Sequence, residues 1–475
     1  MAKRTLFPSL GTLILACASP SDPAAQTNGP TPTAASPPAS VPETIATPPW
    51  WSGLWPEPGA PDTCLDPILT IRSLQAVRVG TAGALRVFDS VDPLNPVYVL
   101  DLALPPFQRS IAGHDYYVPH PVVSDGVNVR IALGSGILEP ERSYFVSVDA
   151  GVFVDDAGNP LGGLPGDAWS FTTGPLPAPV DAHFTVRADG SGTTCTIQGA
   201  LDVAPKDAPV VIDLGAGTYP EILRVTGFTS LTLRGEGAEV TSIAHTNNDT
   251  LQRGGGTASR SLVTVESSQK FVLEGLTLHN TTPEGGSQAE ALGVQAGVRT
   301  VVRNAVLRST QDTVMMNGRA YVESTTLFGN VDYVWGTGAA YFLGSELRTV
   351  GRAGYTVQAR NLPTSPGFVF VDSRLTAEEG ISGHYLARIE VDRFPSSRVA
   401  FVDCELGSHI APVGWLTTPS DDPGLDLRFE EYGSRDAAGD AIDTSGRHPA
   451  SRQLTREEAE ALRDPVAVLG WDPNE

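Results

Sequence analysis

The sequence predicts an all-β chain, a parallel β-helix preceded by a small β-sandwich, and three observations carry that prediction. Short β-rich runs of one internal shape recur: FVLEGLTL at 271–278, TVVRNAVL at 300–307, AYVESTTL at 320–327, AYFLGSEL at 340–347, FVFVDSRL at 368–375 and VAFVDCEL at 399–406. Their closing leucines, Leu278, Leu307, Leu327, Leu347, Leu375 and Leu406, lie 29, 20, 20, 28 and 31 residues apart. Coils of about twenty residues, with loops inserted in the longer steps, give that spacing. The second observation is composition: 49 Gly, 39 Pro and only 18% charged residues make a turn-rich chain. The third is that helical periodicity is nearly absent until LTREEAEALRD, where Thr455 and Glu458 form a capping-box pattern on a short C-terminal helix.

At 475 residues the chain is too long for one ordinary core, so two folded parts with tails are expected. Residues 1–16 read as a secretory signal, with a basic start at Lys3 and Arg4 and an apolar run from Leu10 to Ala16 too short to span a bilayer. The ending ILAC resembles a bacterial lipobox, in which Cys17 is lipidated and becomes the mature N-terminus; an ordinary cleaved signal is the alternative. Residues 17–49 are Pro, Ser, Thr and Ala with almost no large apolar side chain, and read as a semi-extended tether. The chain is thus expected to be an exported envelope lipoprotein at the outer membrane or cell surface, or otherwise secreted.

Residues 50–176 alternate apolar runs with Asp/Gly/Asn/Pro turns, as in RSYFVSVDAGVFVD, DAGNPLGG and DAWSFTTG. That is the pattern of an antiparallel sandwich, and the segment resembles bacterial immunoglobulin-like surface modules. It holds no catalytic constellation, so a spacer or binding module is expected. The β-helix then occupies 180–475. With Cys17 lipidated, Cys64, Cys195 and Cys404 can form at most one bridge, and the pairing is open. No Cys/His spacing suggests zinc. A net charge of −22 argues against nucleic acid or an anionic membrane surface as partner, and favours a substrate whose carboxylates are masked.

Asp312 lies five residues after Leu307, and Asp332 five after Leu327. If the leucines are equivalent on successive coils, the two carboxylates are neighbours, since stacked strands lie about 4.8 Å apart. Two adjacent carboxylates in a partly dry groove cannot both ionise freely, which yields one nucleophile and one proton donor. A turn-capping ladder of stacked Asp is the structural alternative.

Further motifs occur in order: GAGTYPE (215–221), QAEAL (288–292), QDTV (311–314), GNVDYVWG (329–336), HYLARIE (384–390) and GWDP (470–473). Together they resemble the pectin methylesterase (pectinesterase) family of right-handed parallel β-helix enzymes, over roughly residues 183–475. The resemblance implies that Asp332 is the nucleophile on a galacturonate methyl ester and that Asp312 is the general acid and then base. It assigns Gln288 and Gln311 as oxyanion donors, Arg388 as the partner of Asp332, and Trp335 with Tyr333 as substrate contacts. No metal or organic cofactor is implied, the partner is pectin or a related methyl-esterified polysaccharide, and a monomer is expected. Where many members read LGRPW this chain reads LARIE, so Glu390 replaces a platform tryptophan and would repel a free galacturonate. The competing readings are an esterase on another acyl substrate, a glycoside hydrolase, and a carbohydrate-binding β-helix without turnover. Neither GxSxG nor HExxH is present.

Overall fold

Each turn of the C-terminal part runs through three short strands, and stacking the turns produces three parallel sheets. One has eleven strands, from His183–Val186 to Ser451–Gln453. The other two have eight each, from Gly217–Tyr219 to Glu405–Leu406 and from Leu223–Thr226 to Trp415–Thr418. This computed structural model describes residues 49–475 apart from 106, 119–120, 179 and 420–425. The signal, lipidation and tether expectations, Cys17 included, fall at 1–48 and lie outside the described residues.

The leucine spacing translates directly into register. Leu278 pairs with Leu307, then Leu327, Leu347, Leu375 and Leu406, one on each successive coil. All are buried, because strand alternation turns this column into the core. Each recurring run also contains one residue in the left-handed region: Gly275, Asn304, Ser324, Gly344, Asp372 and Asp403, with φ of 48–64°. That single residue bends the chain from one sheet to the next. Gly, Asn, Ser and Asp occupy it because they tolerate positive φ by lacking a Cβ or by bonding locally. Between coils the core stacks aromatic rings, with Phe342, Phe370 and Phe401 at centroid spacings of 4.5 and 4.7 Å.

At the first coil, the helix Ile197–Val203 is capped by Thr196, and the Glu221 carboxylate accepts the Ile197 and Gln198 N–H groups at 3.0 Å. At the other end, the helix Arg456–Leu462 starts with the expected capping box of Thr455 and Glu458. This helix and the following one, Pro465–Leu469, pack Leu462, Val468 and Leu469 against Val301, Tyr321 and Tyr341 of the eleven-stranded sheet.

The N-terminal part builds a four-stranded and a five-stranded sheet around Ile71, Val87, Tyr144, Val146 and Phe171. The pairing is antiparallel except between Ala60–Thr63 and Ser170–Thr173. This part is not a detached spacer. Its hairpin of Gln108–Ile111 and His114–Tyr117 sends Ile111 and Tyr116 into the β-helix core. Gln252 holds the hairpin by donating to the Tyr117 carbonyl at 2.8 Å and accepting its N–H at 3.0 Å. Arg224 donates to the Tyr116 hydroxyl at 2.9 Å, and Asp66 accepts the Thr196 N–H at 2.8 Å. The open disulfide question resolves to Cys64–Cys195, which also crosses this junction, while Cys404 is a buried free thiol.

If the inward leucine column is the spine of the fold, truncating it must cost a cavity as well as lost burial. Leu327→Ala is expected to lower stability by about 2–5 kcal/mol, whereas Leu94→Ala, at a site 86% exposed, stays within about 0.5 kcal/mol. Denaturant unfolding of the two variants checks this; equal losses would contradict it.

Candidate active site

Three consecutive coils of one eight-stranded sheet each bring a carboxylate to the same level. Leu292 pairs with Val314, and Val314 with Val334. The bridge between Gln311 and Val331 and the bond from Asp312 N–H to the Val331 carbonyl, 3.0 Å, carry this register back along the chain. Glu290, Asp312 and Asp332 therefore stand in one column, with strands about 4.8 Å apart. Asp312 and Asp332 are only 6% and 5% exposed, and both take left-handed backbone, φ 62° and 50°. Aspartate is among the few side chains that adopt this conformation readily.

Two arginines divide the column between them. Arg388, on the strand Tyr385–Glu390, donates to Asp332 Oδ2, and its guanidinium lies 5.1 Å from the Tyr355 ring centroid. Asp332 Oδ1 is buried with no hydrogen-bond partner. Arg260 grips Glu290 through Nε at 2.9 and 3.1 Å and through Nη2 at 2.8 Å, and reaches Asp312 Oδ2 with Nη2 at 2.9 Å. Its Nη1 meets Asp249 at 3.3 Å. A third cation, Arg360, lies over the Trp335 ring at 4.6 Å and donates to Gln358 Oε1 at 3.1 Å.

Burial pushes the Asp312 carboxyl well above its ordinary value. The Glu290 charge adds to this against Arg260, and Asp332 adds further against Arg360. Burial also raises Asp332, but there Arg388 is the leading opposing influence. Both aspartates are thus raised by burial, Asp312 further by two neighbouring carboxylates, while Arg388 is the leading influence that holds Asp332 down.

Gln288 and Gln311 are half-buried beside this column, and the Gln311 carbonyl accepts the Ala289 N–H at 3.2 Å. Neither side-chain amide bonds to another group among the described residues, so both keep free donors near the carboxylates. Trp335 is 3% exposed and lies under Arg360 rather than presenting an open ring face. Tyr333 requires correction as a substrate contact: it is fully buried in the core, its hydroxyl 3.5 Å from Thr356 Oγ1. The strand is irregular between Val331 and Val334, and the successive residues Tyr333 and Val334 both enter the core. Glu390 is tied to Gln358 at 3.0 Å and Arg393 at 2.7 Å, so its charge is partly answered within the protein. Sequence reasoning missed Arg260, Glu290, Gln358 and Arg360. Only Glu290 left a signal, a lone carboxylate flanked by alanines at the head of a buried strand.

The electrostatics carry a stability consequence. A carboxyl raised by folding binds its proton more tightly folded than unfolded. Its contribution is complete below the unfolded value of about 3.9 and is lost as pH climbs through the folded one. Asp312→Asn stays neutral throughout, so its stability relative to the parent is expected to rise between pH 4 and pH 7. Denaturation midpoints of both proteins at the two pH values check this, and a constant or shrinking difference would contradict it.

A family model described as Pectinesterase matches residues 183–463, more than half of the chain. Pectinesterase 5 of Arabidopsis thaliana is 30% identical over 275 residues, covering 54% of this chain and 45% of its own length. Pectinesterase 31 of the same plant is 30% identical over 290 residues, covering 58% and 88%. The chain thus spans less than half of the first relative and most of the second. Among solved structures, pectin methylesterase PemA from Erwinia chrysanthemi superposes with a TM-score of 0.51 at 26% identity, over 62% of this chain and 99% of that one. A mutant pectin methylesterase in complex with a hexasaccharide gives 0.52 at 25% identity, over the same shares. The carrot enzyme, at 24% identity and a TM-score of 0.54, shares the fold. On the extent of the family match, this chain belongs to the pectinesterase family.

Proposed function

We propose that the chain hydrolyses the methyl esters of galacturonan, releasing methanol and leaving the polysaccharide backbone intact. The observation that carries this reading is the pair of neighbouring buried carboxylates in unequal surroundings: Asp332 has Arg388 to itself, while Asp312 shares Arg260 with Glu290. An Asp332 oxygen attacks the ester carbonyl, and the carbonyl electrons move to an oxyanion within reach of the Gln288 and Gln311 amides. Collapse expels methoxide, which takes the Asp312 proton and leaves as methanol. The galacturonyl group is now joined to Asp332 as an anhydride. Asp312, deprotonated, takes a proton from water as that water attacks the galacturonyl carbonyl, and Asp332 departs as carboxylate.

Burial serves this chemistry because charge–charge effects are strongest where water is excluded. Neutral glutamine donors suit it as well, since they leave Asp332 charged until it reacts. Glu390 at the edge of the site supports a preference for highly esterified pectin or for another neutral ester. Export is supported by Cys64–Cys195, a bridge that persists in oxidising compartments; attachment through Cys17 and a monomeric enzyme belong to the same proposal.

The test is methanol release from highly methyl-esterified pectin by the full chain, with reducing ends assayed in parallel. Methanol without new reducing ends is expected, and Asp332→Asn should lower the rate by about a thousandfold or more. New reducing ends would favour a glycoside hydrolase. Binding of pectin by a folded protein that frees no methanol would favour a carbohydrate-binding role.

A further inference from the structure

We propose that Glu290 is a positioning residue for the reaction: by occupying the charge of Arg260, it leaves Asp312 to carry the proton that the leaving methoxide takes. The inference rests on the reading of Asp312 as general acid, and it concerns a glutamate with no part in the bond-making steps. Its basis is geometric. Glu290 is 0% exposed, and Arg260 commits three hydrogen bonds to it against one to Asp312. The single bond to Asp312 falls on Oδ2, which leaves Oδ1 as the oxygen to hold the proton.

Charge balance points the same way. The column contains three carboxylates, Glu290, Asp312 and Asp332, against two guanidiniums in direct contact, Arg260 and Arg388. One proton makes the buried set neutral, and a neutral set is what a low dielectric favours. Glu290 is the best-bonded carboxylate on Arg260 and Asp332 is held by Arg388, so the proton falls to Asp312. The remaining charges around the column are Asp249 on Arg260, Arg360 facing both aspartates, and Glu390 with Arg393 beyond Asp332. Without Glu290, Arg260 would face Asp312 as an unopposed cation and draw the proton off it. Burial raises Glu290 too, against Arg260, so the three carboxylates titrate as a linked set. The order of proton loss within that set is what the proposal fixes.

The experiment uses the full chain in two arms. In the first, the pH profile of kcat for methanol release is compared for the parent, Glu290→Gln, and Glu290→Gln combined with Arg260→Met. The alkaline limb, where the acid loses its proton, is expected to move down by about one to three pH units in Glu290→Gln. It should return toward the parent position when Arg260 is also removed, with KM little changed throughout. A purely structural role would damage both variants alike and could not reverse the limb. An unmoved limb in a folded Glu290→Gln, or a shift that the second substitution fails to reverse, would overturn the proposal.

The second arm needs no turnover. Carbon-13 NMR of the parent, labelled in Asp and Glu carboxyls and with Asp312 and Glu290 identified by their loss in Asp312→Asn and Glu290→Gln, is followed through pH. Glu290 is expected to ionise at lower pH than Asp312, and the opposite order would overturn the proposal. A parent that frees no methanol would defeat the esterase reading and silence the first arm, while the titration order would still decide the role of Glu290.

Discussion

Everything at this site depends on coil-to-coil register. A parallel β-helix has no freedom to separate like positions on adjacent turns: the hydrogen-bond ladder fixes them about 4.8 Å apart. Where the repeated side chain is leucine, the result is the buried column from Leu278 to Leu406. Where it is a carboxylate, the same ladder forces like charges together. Glu290, Asp312 and Asp332 cannot relax apart without breaking strand pairs on either side. The fold therefore sustains an arrangement that an isolated chain would avoid.

The arginines make that arrangement tolerable and give it direction. Arg388 approaches Asp332 from a later coil, and Arg260 approaches Glu290 from a loop between earlier ones. Arg260 gives most of its bonds to Glu290 and only one to Asp312, so the middle carboxylate is the least compensated, and on the proposed reading it carries the proton. On the proposed mechanism, two side chains of identical chemistry would take the roles of nucleophile and acid from their neighbours alone. The junction with the N-terminal part lies at the first coils, where Asp66, the hairpin and Cys64–Cys195 meet the end of the β-helix.

Much of this was legible in the residues. The steps of 20 between Leu307, Leu327 and Leu347 contain no long insertion, so equivalence of Asp312 and Asp332 could be read by counting. The turn position was visible too, since each run carries Gly, Asn, Ser or Asp at one fixed place. What could not be read came from outside the repeat. Arg260 and Arg360 reach the column from loops whose length has no period. Tyr333 looked available because it follows Asp332, yet the irregularity between Val331 and Val334 sends it and Val334 alike into the core. The sandwich hairpin and the Cys64–Cys195 pairing join segments more than a hundred residues apart, a distance at which local patterns carry no information.

The account turns on one covalent event, acyl transfer to Asp332, and trapping it is the most direct measurement. Hydroxylamine added to the enzyme during turnover of esterified pectin opens an anhydride at either carbonyl, and attack on the aspartyl one converts the trapped aspartate to a hydroxamate while releasing the galacturonate. Peptide mass spectrometry then locates the modified residue. The account predicts a substrate-dependent hydroxamate at Asp332 and at no other carboxylate. Modification at Asp312 or Glu290, or steady methanol release with no enzyme-dependent hydroxamate on either Asp332 or the galacturonan, would contradict it.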